Sequence, residues 1–106
     1  MDMRSEATGA VRLSGALTIR RVAELRDVLM TSLASHQDII LDLDSEAEAD
    51  ISFVQLVLAT EVSARSSGKH IRLKNACAGP LREVLERGGF LAADKAGFWT
   101  GEGVAQ

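Results

Sequence analysis

The apolar run DIILDLD, from Asp38 to Asp44, is the sequence feature that most constrains how this chain folds. It has the length of a β-strand and is apolar on both faces, which is typical of a strand inside a sheet. Segments with helical spacing lie before and after it, so helices and strands alternate along the chain. This alternation predicts a sheet with helices packed against it and with right-handed crossovers between parallel strands.

The other segments extend the same pattern. Val11 and Leu13 alternate with polar residues, and Leu17 and Ile19 repeat the alternation after Gly15, which predicts two short strands around a turn. The elements predicted after this turn are a helix from Arg20 to near His36 with Thr18 as its N-cap, a helix from Phe53 to about Ser67, a strand from His70 to Asn75, and a helix that Pro80 opens and Gly88 ends. We therefore expect a single α/β domain over residues 1–106, with a small mixed four-stranded sheet, about three helices mainly on one face, and a disordered tail over about 100–106.

Composition excludes several classes of function. The chain has 106 residues, enough for one hydrophobic core, and a formal net charge of −3 with scattered basic residues, so nucleic acid is not an expected partner. Cys77 is its only cysteine, which rules out an internal disulfide. No apolar run approaches the roughly 20 residues of a membrane helix, and the first residues lack the apolar core of a signal peptide. We expect a cytoplasmic protein without membrane insertion.

Ser52 is the residue that raises the question of function. It precedes a dense apolar segment and is followed three residues later by Gln55, which is the spacing of a helix capping box. The alternative is an exposed serine at the positive end of a helix, accessible to a kinase. Phosphorylation would add roughly −1.5 to −2 charge units beside residues that are already acidic. The spacing is compatible with both interpretations.

Several segments in order resemble one family. They are LSGALT, RVAELRDVL, IILDLD, ADISFVQLVLA, SGKHIRLKN and PLREVLERGGF. Together they resemble the STAS domain family, the fold shared by bacterial anti-anti-sigma factors and the tails of sulfate transporters. The resemblance runs from Val11 to Leu91 without a large gap.

The resemblance implies a site at the start of the second helix. In that family a D-S-S-G-like sequence stands there, and a partner kinase phosphorylates its second serine or threonine. The motif falls on Asp50, Ile51, Ser52 and Phe53, so Ser52 is the implied phosphoacceptor. Ile51 replaces the first serine, Phe53 replaces the glycine, and Thr18 stands where the family has an acid used in docking.

An apolar partner surface is expected beside Ser52. On a helix that begins near Phe53, Phe53 and Leu56 point partly outward and join Ile51. With Asp50 and Thr18 these residues make up the predicted partner-binding set. The implied partner is a serine kinase that is also an anti-sigma factor, in a bacterial pathway of transcription regulation. The alternative is a constitutive adaptor without a switch, bound to a phospholipid-transport ATPase or a chemotaxis array.

The remaining candidates favour structural roles. The carboxylates at even positions from Asp42 to Asp50 would lie along one side of an extended segment, roughly 6.5 to 7 Å apart, which is too far for all to share one Mg²⁺. We expect a solvated acidic edge, no metal or cofactor, and no enzymatic activity, because no nucleophile is matched with a base. Cys77 is expected to be a small buried filler. Phe98 and Trp99 are expected to pin the end of the chain to the domain, with a homodimer contact as the alternative.

Overall fold

Alternating strands and helices make up the part of the chain that the structure describes. A computed structural model describes residues 8–92 and 98–100. The elements are β1 (Thr8–Leu13), a 3₁₀ turn (Ile19–Arg21), α1 (Val22–Ser35), β2 (Asp38–Leu43), α2 (Ile51–Ser66), β3 (His70–Leu73) and α3 (Gly79–Arg87). No helix in these two ranges is both long enough and apolar enough to cross a bilayer. The predicted α/β class is confirmed.

The sheet has three strands in the order β1-β2-β3, and both pairs are parallel. The prediction that β2 is an interior strand is confirmed. The predicted fourth strand is absent from residues 8–92 and 98–100, so the four-stranded mixed sheet is wrong for this part of the chain. Leu17 forms only an isolated parallel bridge, to Ala49, and the chain then turns into the 3₁₀ turn. Leu17 pairs with the loop before α2 instead of with β1, so no second strand is built.

One face of the sheet carries the core and the other faces solvent. Alternate residues of β1, β2 and β3 are buried, and α1 and α2 both contact the sheet. Ile39 and Leu41 of the central strand are fully buried. On the opposite face Asp42 pairs with Arg12 at 3.0 Å and with Lys74 at 3.7 Å. The expected arrangement, with helices on one face and the other face solvated, is confirmed.

The helices bury one stripe each, with the exception of α2. The buried residues of α1 are Leu25, Leu29 and Leu33, and those of α3 are Leu81 and Leu85. The predicted N-cap position of Thr18 is confirmed for the 3₁₀ turn that leads into α1, but its side chain makes no capping hydrogen bond. The N–H of Arg21, from which a capping hydroxyl could accept, donates to the Thr18 carbonyl at 2.9 Å instead.

Two aromatic residues fix a distant part of the chain to the core. Phe98 and Trp99 are 8% and 2% exposed and pack edge to face, with ring centroids 5.0 Å apart. The N–H of Cys77 donates to the carbonyl of Trp99 at 2.8 Å, and Cys77 is itself buried. The predicted pinning role of the aromatic pair and the filler role of Cys77 are confirmed. The predicted disordered tail lies, apart from Thr100, outside the described residues.

Gly79, at the start of α3, makes the closest backbone approach in this part of the fold. Its φ is +65°, and a Cβ there would lie 2.0 Å from the carbonyl oxygen of Ser45. Gly68 has a similar φ of +72° but open space around it, so it is a matched control. We expect Gly68→Ala to cost roughly 1–2 kcal/mol through its left-handed backbone alone. Gly79→Ala adds roughly 1–3 kcal/mol of steric strain to that cost.

Urea unfolding of the two variants measures the difference. Equal losses of unfolding free energy in Gly68→Ala and Gly79→Ala would contradict the close approach of α3 to the loop that follows β2.

Candidate functional site

The carboxylate of Asp50 joins the segment that leads into α1 to the start of α2. Its Oδ1 accepts hydrogen bonds from the N–H of Ser52 at 3.0 Å and from that of Phe53 at 3.3 Å. Its Oδ2 accepts from the N–H of Ile19 at 3.0 Å, across 31 residues of sequence. Asp50 has extended backbone angles immediately before the first helical residue, so it is the N-cap of α2. One side chain thus satisfies donors from two elements.

Backbone hydrogen bonds anchor the same junction to the core. The N–H of Leu17 donates to the carbonyl of Glu48 at 2.7 Å, and the N–H of Asp50 donates to the carbonyl of Leu17 at 3.3 Å. The Leu17 side chain is 1% exposed. These backbone bonds therefore hold the two segments together independently of the Asp50 side chain.

The capping box predicted for Ser52 and Gln55 is wrong. Asp50 is the cap, α2 begins at Ile51, and Ser52 is its second residue. Aspartate and serine are about equally favourable N-caps, so the sequence alone does not choose between them. Asp50 is selected because a carboxylate has two acceptor oxygens and reaches three N–H groups here.

The Ser52 hydroxyl does not take part in capping α2. Ser52 is half-buried, and its Oγ has no hydrogen-bond partner among residues 8–92 and 98–100. It lies in the first turn of α2, where the positive end of the helix dipole favours a negative charge. The geometry therefore places a hydroxyl that caps nothing at a position where a phosphate is electrostatically acceptable.

Phe53 and Leu56 do not point outward, and that expectation is wrong. Phe53 is 0% exposed and Leu56 is 8% exposed, and both belong to the hydrophobic core. The reason is that α2 packs against α1, β3 and α3, so its buried arc is much wider than one stripe. The Phe53 ring accordingly faces the interior.

Exposed apolar side chains do border Ser52, but they come from two segments. Ile51 is 47% exposed, and Ile19 is 61% exposed. Because the Ile19 N–H is bonded to Asp50, Ile19 lies next to the start of α2. Thr18, Ile19, Asp50, Ile51 and Ser52 are called the docking surface below.

The sequence pattern does not mark Ile19 as a surface residue. Leu17 and Ile19 show the same alternation, yet Leu17 is buried and Ile19 is exposed. Leu17 pairs with Ala49, whereas Ile19 is already the first residue of the 3₁₀ turn, and nothing in the local pattern marks the start of that turn. The signal that would find Ile19 is the hydrogen bond to Asp50, which is a tertiary feature.

The solvent side of α2 continues this apolar character along the helix. Its exposed residues include Ile51, Gln55, Ala59 and Val62, spaced so that they share one side. The charged residues of α2 are Glu61 and Arg65, both in its second half. A helix packed on a core usually carries charges on its outer face. The first half of this side, from Ile51 to Ala59, has none and extends the area open to a partner, whereas Val62 lies beyond it, between Glu61 and Arg65 in sequence.

The acidic run before α2 does not form a single row. Asp42 is in the ion pairs with Arg12 and Lys74, whereas Asp44 Oδ1 accepts from the N–H of Glu46 at 3.0 Å. The turn that follows Asp44 interrupts the predicted extended segment. The prediction that the acidic side chains lie along one side of such a segment is therefore wrong. Within the described ranges no three acidic, histidine or cysteine side chains are grouped as metal ligands would be.

A cavity of about 260 Å³ opens where β2 and β3 end, beside the start of α3. Its charged lining is engaged within the chain, because Arg12 pairs with Asp42 and Asp44 closes the turn. The cavity thus presents no convergent set of free charges to a cofactor.

Comparison with known proteins gives one match. A family model described as "Mlab, STAS domain" matches residues 2–91. Searches of curated proteins and of solved structures gave no significant match. The matched range includes the whole docking surface and all of the elements from β1 to α3.

The cap geometry predicts that two neighbouring substitutions change the unfolding free energy by different amounts. Asp50→Ala removes the acceptor of three N–H groups, and we expect it to lower the unfolding free energy by about 1–2 kcal/mol. Ser52→Ala removes a hydroxyl without a partner, so its effect is expected to stay within about 0.5 kcal/mol of zero. Chemical denaturation of both variants checks this, and a larger loss in Ser52→Ala would restore the capping role to Ser52.

Proposed function

The chain belongs to the STAS domain family, and on that premise we propose that it is a cytoplasmic, non-enzymatic signalling module whose docking surface binds a protein partner and is switched by phosphorylation of Ser52. The observation that carries the proposal is that Asp50 caps α2, which leaves the Ser52 hydroxyl free. The exposed side chains beside it, Ile19 and Ile51, are apolar.

In the unmodified state, binding depends on burying apolar area. Ile19 and Ile51 are 61% and 47% exposed in the free chain. Burying a fully exposed side chain of this size contributes about 1.5–3 kcal/mol, so covering the exposed part of each contributes roughly half of that. The first half of the outer side of α2, from Ile51 to Ala59, carries no charge and continues the contact without a desolvation cost for charges. Interfaces concentrate their binding energy in a few central residues, and these two isoleucines fit that role.

Phosphorylation would convert this surface chemically. Ser52 Oγ attacks the γ-phosphorus of ATP, an Oγ–P bond forms, the bond to the β–γ bridging oxygen breaks, and ADP leaves. The hydroxyl proton passes to a base of the kinase. The product carries roughly −1.5 to −2 charge units beside Asp50 and the exposed Glu48. A partner that covered Ile51 would then have to desolvate that charge, so the contact weakens.

The burial of Phe53 supports access by a kinase. A bulky ring in place of the family glycine would obstruct the hydroxyl if it lay on the surface, but Phe53 is 0% exposed. The partner that the family resemblance favours is a serine kinase that also sequesters a transcription regulator as an anti-sigma factor.

A second candidate function uses the same surface without the switch. The chain would be a constitutive adaptor subunit, bound to a phospholipid-transport ATPase or to a chemotaxis array. The observation that favours it is that Ser52 is half-buried, whereas Ile51, in place of the first family serine, is 47% exposed and makes the surface more apolar.

Phosphorylation by kinases encoded beside the gene is the direct test of the switch. We expect a mass increase of one phosphate on the peptide that spans residues 46–65, and no such increase in Ser52→Ala. Phosphate on another residue, with Ser52→Ala modified as well as the parent chain, would refute the assignment of Ser52.

Alanine substitution of exposed isoleucine tests the docking surface itself. Ile51→Ala is expected to weaken binding of the partner kinase about tenfold, since a central apolar contact is worth more than about 1 kcal/mol. Val62→Ala is the matched control: it is also an exposed apolar residue of α2, about 16 Å along the helix from Ile51. Equal losses in the two variants would argue against a contact centred on Ser52, and full binding of the phosphorylated chain would favour the constitutive adaptor.

A further inference from the structure

Asp50 connects the phosphorylation site to a part of the docking surface that belongs to a different segment. We infer that a phosphate on Ser52 displaces the Asp50 carboxylate from the start of α2 and thereby releases Ile19, an inference that rests on the proposed function. Asp50 is then a positioning residue: it acts through Ile19 and the helix start without itself having to contact the partner.

The displacement follows from competition for the same donors. Asp50 Oδ1 occupies the N–H groups of Ser52 and Phe53. A phosphate on Ser52 brings three acceptor oxygens and a larger charge to the same helix turn, where anions bind free N–H groups. The phosphate is tethered to the helix, whereas the carboxylate belongs to the extended residue before it. Two adjacent anions repel, so the carboxylate is the group that leaves.

Ile19 is the donor that loses its partner. Its N–H donates to Oδ2 of the same carboxylate, in an exposed hydrogen bond. The 3₁₀ turn of Ile19–Arg21 has no buried residue of its own, so burial of its side chains does not hold the Ile19 end in place. Arg21 holds the far end, since its Nη1 donates to the carbonyls of Ser14 at 2.7 Å and Ala16 at 3.1 Å. Release is therefore confined to the Ile19 end, which carries the apolar side chain of the docking surface.

Amide hydrogen exchange on the phosphorylated protein tests the inference. Phosphoserine is incorporated at position 52 during translation, so no kinase is needed, and exchange is followed residue by residue by NMR. We expect the protection of the Ile19 amide to fall about tenfold as its hydrogen bond opens. The Leu17 amide, which donates to Glu48 rather than to Asp50, is the internal control and stays unchanged. Unchanged protection of Ile19 would overturn the inference.

The variant Asp50→Asn separates the two tasks of the carboxylate without a phosphate. Asparagine is as good an N-cap as aspartate, but it has one acceptor oxygen and an NH₂ group that only donates. We expect the oxygen to remain on the two donors of α2, so Ile19 loses protection while Ser52 and Phe53 keep theirs. The control Asp44→Asn alters an acid that closes a local turn and leaves Ile19 unaffected.

The outcomes distinguish this inference from the proposed function. Wild-type protection of Ile19, Ser52 and Phe53 in Asp50→Asn would show that the shared carboxylate does not position Ile19 and would overturn the inference. A partner that binds less tightly after phosphorylation, while Ile19 stays protected, would keep the switch and reject the role of Asp50. If phosphorylation left partner binding unchanged while the Ile19 amide lost its protection, the switch would be rejected and the displacement of Asp50 would be kept.

Discussion

The arrangement of the candidate site depends on one carboxylate that serves three N–H groups. Without the Asp50 carboxylate, the first donors of α2 and the N–H of Ile19 have to find water or another acceptor, and only the backbone pairing of Leu17 still joins the two segments. Backbone hydrogen bonds of Leu17 with Glu48 and Asp50 bring the two segments together, but they involve only the backbone of Asp50. Only the Asp50 side chain connects the two segments at Ile19 and Ser52, which belong to the docking surface.

The core limits what that junction exposes. α2 packs on α1, β3 and α3 at once, and this buries Phe53 and Leu56, which a helix lying on a sheet alone would leave nearer the surface. What remains outside is a narrow side of α2 beginning at Ile51 and the turn that carries Ile19. A docking surface composed of two segments is therefore sensitive to how those segments are held together, in a way that a surface on one helix is not.

Periodicity predicted the α/β class and the central strand, but neither the number of strands nor the arrangement of the site. The strand Asp38–Leu43 and its central place follow from an apolar run of strand length, although only one of its faces, with Ile39 and Leu41, is fully buried. The start of α2 does not follow in this way, because Asp50 and Ser52 are both good caps. The exposure of Ile19 cannot be read locally either, since its pattern matches that of buried Leu17. In both cases a contact between residues far apart in sequence decides the outcome.

Because Asp50 and not Ser52 caps α2, a modification of Ser52 can change the surface without changing the stability of the helix. If Ser52 were the cap, its esterification would alter the only acceptor at the helix start, and the stability of α2 would change with it. With Asp50 as the cap, a phosphate on Ser52 would replace one anion by another at the same donors, so the helix start would stay satisfied in both states. Only Ile19 would then exchange a protein acceptor for water. The change falls on the surface that a partner would contact, whereas the core of α2, which includes Phe53 and Leu56, keeps its packing.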